Sequence, residues 1–114
     1  MREDVSIVLD ELYVTAHELA EQLIREGRLR RSEVRLPTRS EVVEVALSVV
    51  PRVVYDCRRA RAITGRMIKV AFVGLLAAYC EPLARALVRR RRRRRWEFRG
   101  WYAVYRCVKP QALA

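Results

Sequence analysis

The sequence predicts a mainly α-helical protein, a small bundle of about four helices with a C-terminal aromatic β-hairpin or extended arm. Three observations predict it. Apolar residues recur every three to four positions through much of the first 90 residues, which is typical of amphipathic helices. Hydrophobic residues make up 52% of the 114 residues, enough for one core. After residue 96 the periodicity changes to two, which is typical of extended chain. We therefore divide the chain into a helical nucleic-acid-binding domain, residues 1–95, and an aromatic arm, residues 96–114.

The first helix is predicted over residues 3–26. Acidic residues at its start favour the N-terminus of a helix through the helix dipole, and Gly27 is a typical stop. The apolar residues follow one another at alternating steps of four and three, so they form one continuous stripe. They are Val5, Leu9, Leu12, Ala16, Leu19 and Leu23.

A second helix is predicted to begin after Thr38, because Thr38 and Glu41 match a capping box. Valines, leucine and alanine then give a wide apolar face as far as Val54. Pro51 falls inside this stretch. A proline within a helix removes one backbone hydrogen bond, so we expect a kink or a break there.

Two further helices are predicted in the second half. Residues Met67 to Tyr79 are apolar nearly all round, which predicts a position at the centre of the core or in an interface that joins subunits. Glu81 and Pro82 are typical of a helix start, since proline is favoured in the first turn. This last helix continues into the seven arginines of residues 89–95.

The C-terminal segment carries five of the nine aromatic residues, between Trp96 and Tyr105. Residues on either side of Gly100 alternate in a period of two, which predicts the hairpin or arm. The aromatic side chains could stack on unpaired bases or pack against a neighbouring subunit, and we favour the subunit contact. A hairpin alone is marginally stable in water, so it requires a surface to lie on.

Charge is distributed unevenly along the chain. Residues 1–50 carry a net charge of −3, residues 51–88 carry +5, and residues 89–114 carry +9. This asymmetry indicates a polyanionic partner, and we favour nucleic acid. The alternative without any partner is a basic face that is merely solvated. An acidic protein or a lipid surface is a further alternative. Seven like charges in a row repel one another, so an ordered run requires a partner that neutralises it.

The candidate nucleic-acid-binding residues are the cations of the second half. If residues 52–70 form one helix, five of these cations share an arc of about 160°. Arginine suits a phosphate contact because its planar guanidinium remains charged and binds two oxygens at once. The full set is Arg52, Arg58, Arg59, Arg61, Arg66, Lys69, Arg85, Arg89, Arg90, Arg91, Arg92, Arg93, Arg94, Arg95, Arg99 and Arg106.

Catalytic and cofactor motifs are missing from the sequence. The three cysteines lack zinc-binding spacing, so we expect free thiols, with one oxidised pair as the alternative if the source is a hyperthermophile. His17 has no nearby residues that would make a catalytic triad or a metal site. The four glycines are scattered and form no phosphate-binding loop. We therefore expect no enzymatic activity, no metal and no cofactor. The apolar stretch Val70 to Cys80 is shorter than the roughly 20 residues of a membrane span.

Residues 5–50 resemble the ribbon-helix-helix repressors, through "VSIVLDELYVTAHELAEQL" followed by "TRSEVVEVAL". The resemblance implies that Val5 to Asp10 form a β-ribbon that enters the major groove and reads a specific operator. Arg28 to Pro37 form a longer connection than that family uses. The family gives no role to the cationic second half.

The whole chain also resembles the small α-helical capsid proteins of filamentous archaeal viruses, which wrap duplex DNA. The likeness lies in length, helix content, arginine-rich faces and a composition without asparagine, which is typical of a hot habitat or of a GC-rich genome. It implies a virion nucleocapsid subunit that packages duplex DNA without sequence specificity, in a homomeric or heteromeric helical assembly. A DNA-binding protein of a prokaryotic cytoplasm or nucleoid, and a ribosomal or other RNA-scaffold protein, are the alternatives.

Overall fold

A computed structural model describes residues 3–56, 62–90 and 98–112, and these residues form six α-helices and one short 3-10 turn. The structure confirms that the chain is mainly helical. The helices are α1 (Glu3–Arg25), α2 (Arg39–Ser48), α3 (Val50–Val54), α4 (Gly65–Tyr79), α5 (Glu81–Arg90) and α6 (Trp101–Ala112), and the 3-10 turn spans Arg31–Glu33.

Helix α1 forms where the apolar stripe predicts it, and every member of that stripe is buried. The helix ends in a Schellman motif. Gly27 has a φ of +72°, and the amides of Gly27 and Arg28 donate to the carbonyls of Ile24 and Leu23 at 3.0 and 2.9 Å. Glycine adopts this left-handed conformation without the strain that a Cβ brings, so the stop at Gly27 is confirmed.

The capping box at α2 is confirmed. The amide of Glu41 donates to Thr38 Oγ1 at 3.2 Å, and the amide of Thr38 donates to Glu41 Oε1 at 2.9 Å. Two amides that have no partner within the helix are satisfied in this way.

Pro51 breaks the helical stretch, as predicted: α2 ends at Ser48 and α3 begins at Val50. Pro51 occupies the first turn of α3, where its missing N–H is not needed. The amide of Arg52 bonds to the Val49 carbonyl, and the Arg52 side chain donates from Nε to the Ser48 carbonyl at 2.8 Å. The side chain therefore satisfies an acceptor close to the break.

Helix α4 is the centre of the bundle and contacts α1, α2, α5 and α6. Ten of its 15 residues are buried, including Phe72, whose ring meets the Tyr13 ring of α1 edge-on at a centroid distance of 5.1 Å. The core position predicted for residues 67–79 is confirmed. Most of these residues are buried within one chain, so most of their surface is not available to join subunits.

The prediction of a C-terminal β-hairpin is wrong, because residues 101–112 form helix α6 and the described residues include no strand. Val104 and Val108 are four residues apart and are 0% and 3% exposed, whereas Tyr102 is 49% exposed. A strand would place these three side chains on the same face, and only a helix separates them. Packing against α4 therefore overrides the local alternation.

The single helix proposed over residues 52–70 is also wrong. Helix α3 ends at Val54, Asp56 has a positive φ of 52°, and α4 begins only after Thr64, whose side chain accepts from the Met67 amide at 3.3 Å. The five-cation arc on one helical wheel therefore does not exist. Three of its members, Arg58, Arg59 and Arg61, lie outside the described residues.

Residues Val5 to Asp10, the ribbon implied by the repressor resemblance, lie within α1. Within the described ranges, no helix combines the length and the apolar character needed to traverse a lipid bilayer.

Candidate nucleic-acid interface

Arginines of the first half are largely paired with carboxylates. Arg31 binds Glu21 through two hydrogen bonds of 2.7 and 3.0 Å, Arg30 lies 3.3 Å from Glu33, and Arg39 pairs with Asp10. Each of these pairs is exposed, so each adds little to stability. Their effect on the electrostatic potential is larger, because each pair neutralises a guanidinium in a half of the chain whose net charge is −3.

Cations of the second half have few carboxylates to pair with. Residues 51–114 contain 17 arginines and lysines but only three acids, Asp56, Glu81 and Glu97. Glu81 lies 3.6 Å from Arg85, one turn along α5. In the described part of the second half, the guanidiniums of four exposed arginines form neither an ion pair nor a hydrogen bond with another described residue. They are Arg89, Arg90, Arg99 and Arg106.

The outward face of α5 carries Glu81, Arg85 and Arg89, at positions i, i+4 and i+8, and all three are exposed. Helical spacing places them in one row, while Leu83 and Leu87 of the same helix are buried. The row is basic at the end where the arginine run begins. The apolar face of α5 fixes its rotation, so core packing directs these guanidiniums outward.

Helix α6 places an aromatic cluster beside this row. Trp101, Tyr102 and Tyr105 have ring centroids 5.5 to 6.3 Å apart. The Arg85 guanidinium lies over the Trp101 ring, 5.8 Å from its centroid, which joins α5 to α6 through a cation–π contact. The Lys109 ammonium lies 5.3 Å from the centroid of the Tyr105 ring.

Positions 102, 106 and 109 of α6 share one exposed face, because they are spaced i, i+4 and i+7. A hydrogen bond to Tyr105 raises the pKa of the Lys109 ammonium, and the negative charge of Glu81 on α5 adds to this effect. We call the combined exposed faces of the two helices the α5–α6 surface. Its exposed members are Arg85, Arg89, Tyr102, Arg106 and Lys109, and the half-buried Trp101 and the largely buried Tyr105 complete its aromatic cluster.

The structure brings together only part of the predicted set. Arg85, Arg89 and Arg106 lie on the α5–α6 surface, and Arg90 ends α5 beside Arg89. Arg99 is exposed next to Gly100, which packs against Val54 of α3. Arg52 is exposed on α3, and Arg66 and Lys69 lie in the first turns of α4. Arg91, Arg92, Arg93, Arg94 and Arg95 lie outside the described residues, as do the three arginines of residues 58–61.

Lys109 belongs to this surface but is missing from the predicted set. A strand would place Lys109 and Arg106 on opposite faces, whereas a helix places them on the same face. The helical spacing of the two cations is the signal that could have identified Lys109.

A separate cleft of about 360 Å³ lies between α2, α4 and α6. Val45, Leu75 and Val108 form apolar walls, and the carboxylates of Glu41 and Glu44 lie at its edge. The Tyr79 hydroxyl donates to Glu41, and this bond raises the pKa of the tyrosine. Two carboxylates disfavour an anion here, so the cleft is chemically unlike the α5–α6 surface.

The cysteines and the single histidine are the remaining groups that could carry chemistry. Cys80 is buried and Cys107 is half-buried, and both are free thiols, while Cys57 lies outside the described residues. His17 is exposed on α1. Among the residues that the structure describes, no three histidine, cysteine or acidic side chains group closely enough to hold a metal ion.

No family model, curated protein or solved structure matches this chain. Its function is therefore inferred from its own residues and their geometry.

Proposed function

We propose that the protein is a structural nucleic-acid-coating protein that binds duplex DNA through its phosphates, without reading base sequence. The observation that carries the proposal is the α5–α6 surface. There, the exposed guanidiniums of Arg89 and Arg106 make no described ion pair, and the arginine run of residues 91–95 follows directly along the chain.

Guanidinium groups bind phosphate oxygens in pairs and remain charged at every physiological pH. Binding a phosphate also releases the counterions condensed on DNA, which supplies a sequence-independent free energy. A surface with many unneutralised guanidiniums therefore favours a polymer with a regular spacing of negative charge.

Readout of adenine through paired hydrogen bonds is disfavoured by composition. Asparagine and glutamine are the side chains that recognise adenine through paired hydrogen bonds. The chain has no asparagine and only two glutamines, Gln22 and Gln111. Gln22 lies on α1, outside the α5–α6 surface. We therefore infer contacts with the DNA backbone, as expected of a protein that covers DNA along its length.

A coat subunit also has to contact its neighbours repeatedly. The resemblance to filamentous archaeal virus capsids extends the proposal to a virion nucleocapsid, with homomeric or heteromeric subunits arranged in a helix around duplex DNA. The basic helical surface and the mainly helical fold support this finer assignment.

The proposal is tested by exchanging three arginines of the basic surface for glutamine, R85Q/R89Q/R106Q. We expect the affinity for a random-sequence 30-base-pair duplex to fall by about tenfold or more, because three charge-assisted contacts are lost. Fluorescence anisotropy at fixed salt measures this affinity, and negative-stain electron microscopy of the same mixtures shows whether regular filaments disappear.

The matched control is R30Q/R31Q/R39Q, which removes the same charge from arginines that already pair with carboxylates. We expect it to bind like the wild type. Equal losses in the two variants would contradict a localised phosphate surface. A wild-type protein that prefers folded RNA, or one operator by about a thousandfold, would instead support an RNA scaffold or a regulator.

A further inference from the structure

A second basic feature lies where the end of α1 meets the last turn of α5. A cleft of about 360 Å³ is lined there by Arg28, Arg89 and Arg90, together with Gln22. Leu19 and Ala86 form part of its apolar lining. Three arginines from two separate segments thus line one cleft, although Arg28 belongs to the half of the chain that carries net negative charge.

The position of Arg28 is fixed by the backbone. The Schellman motif turns the chain sharply at Gly27, and the Arg28 amide is held by the Leu23 carbonyl. The next residue, Leu29, is only 5% exposed, so it anchors the chain on the other side of Arg28. A long side chain whose backbone is held on both sides loses less freedom when it binds a ligand.

One carboxylate lies beside these cations. Glu26 Oε1 is 3.3 Å from Nη1 of Arg28, and Gln22 donates from Nε2 to Glu26 Oε2 at 3.1 Å. The cleft therefore has three guanidiniums and one neighbouring carboxylate, a formal net charge of +2. The Arg28 side chain remains 58% exposed, and an arginine has five N–H donors, so donors remain for a ligand.

We propose that this cleft is a phosphate-binding site, in which Arg28, Arg89 and Arg90 together hold one phosphate group. The proposal rests on the proposed function, because the expected source of the phosphate is the backbone of bound nucleic acid.

The site gives a role in binding to Arg28, although Arg28 lies in the half of the sequence that carries net negative charge. Arg89 lines the cleft and also belongs to the α5–α6 surface. Nucleic acid bound along α5 therefore continues past the end of that helix onto the connection after α1. The footprint on the protein includes Arg28.

The test compares R28Q with R30Q. The two arginines are two residues apart, both are exposed, and each forms one ion pair, but only Arg28 lines the cleft. For duplex DNA, we expect the slope of log Kobs against log salt to become shallower in R28Q, by up to about 0.9, since the phosphate in the cleft loses one of its three guanidiniums. We expect no change of slope in R30Q.

A second measurement uses inorganic phosphate and pyrophosphate as probes, at constant ionic strength. Phosphate-dependent stabilisation in thermal melts that disappears in R28Q and persists in R30Q would show a site for free phosphate. A changed DNA slope without that stabilisation would assign the site to the nucleic-acid backbone. Identical behaviour of R28Q and R30Q in both measurements would overturn the site. A wild-type protein that does not bind duplex would instead overturn the proposed function, while the phosphate melts still test the cleft.

Discussion

Glu41 shows how one side chain links several parts of the fold. Its carboxylate caps α2 by accepting from the Thr38 amide, and it also accepts from the Tyr79 hydroxyl of α4. Partial burial raises the pKa of this carboxyl, but the hydrogen bonds from Thr38 and Tyr79 outweigh it and hold the pKa below its ordinary value. The ionised form is therefore the form that stabilises the fold.

Stability should depend on pH through this group. Because the pKa is lowered on folding, the contribution of Glu41 is fully present above the unfolded pKa of about 4.3, and it is lost as the pH falls through the lower folded value. We expect the urea midpoint of the wild type to fall below about pH 5 more steeply than that of E41Q. Parallel pH profiles for the two proteins would contradict this role of Glu41.

At the scale of elements, the sequence predicts well those helices that have a long apolar stripe and a recognisable end. Helix α1 has both, α2 has its capping box, and α5 begins at Glu81 with a proline in its first turn. Helix α6 was missed, because residues 101–108 fit a period of two and a period of 3.6 almost equally well. The apolar and aromatic residues of this segment do not by themselves distinguish the two patterns.

A contact between residues far apart in the sequence decides between the strand and the helix. A Cβ placed on Gly74 would lie 2.5 Å from Cγ1 of Val104, so α4 and α6 approach as closely as a glycine permits. Only a helical α6 places Val104 against Gly74 while Tyr102 faces solvent. This complementarity lies in the tertiary structure, which a single short segment does not reveal.

Two substitutions in α6 distinguish a helix from a hairpin at residues 101–112. V104A should lower the free energy of unfolding by about 2 kcal/mol, because two buried methyl groups are lost from the core. Y102A should change it by less than about 0.5 kcal/mol, because the ring is half exposed. Urea unfolding measures both values. Similar decreases in the free energy of unfolding for the two variants would contradict the helix, since a strand places both side chains on one face.

At the scale of the whole molecule, the fold determines which of the charged side chains are paired and which face solvent. Carboxylates in the first half pair with Arg30, Arg31 and Arg39, while the cations of α5 and α6 face outward. Composition alone predicted that the second half is basic. It did not predict which cations converge, because Lys109 depends on the register of α6 and Arg28 depends on the packing of α1 against α5.

The salt dependence of duplex binding tests the central claim most directly, namely that guanidinium groups bind the phosphates of nucleic acid. For about eight phosphate contacts per subunit, log Kobs should fall with log salt with a slope of about −7. Anisotropy titrations of the wild-type protein with a random duplex between about 50 and 200 mM salt measure this slope. A slope near zero, or no binding at the lowest salt, would contradict the proposal.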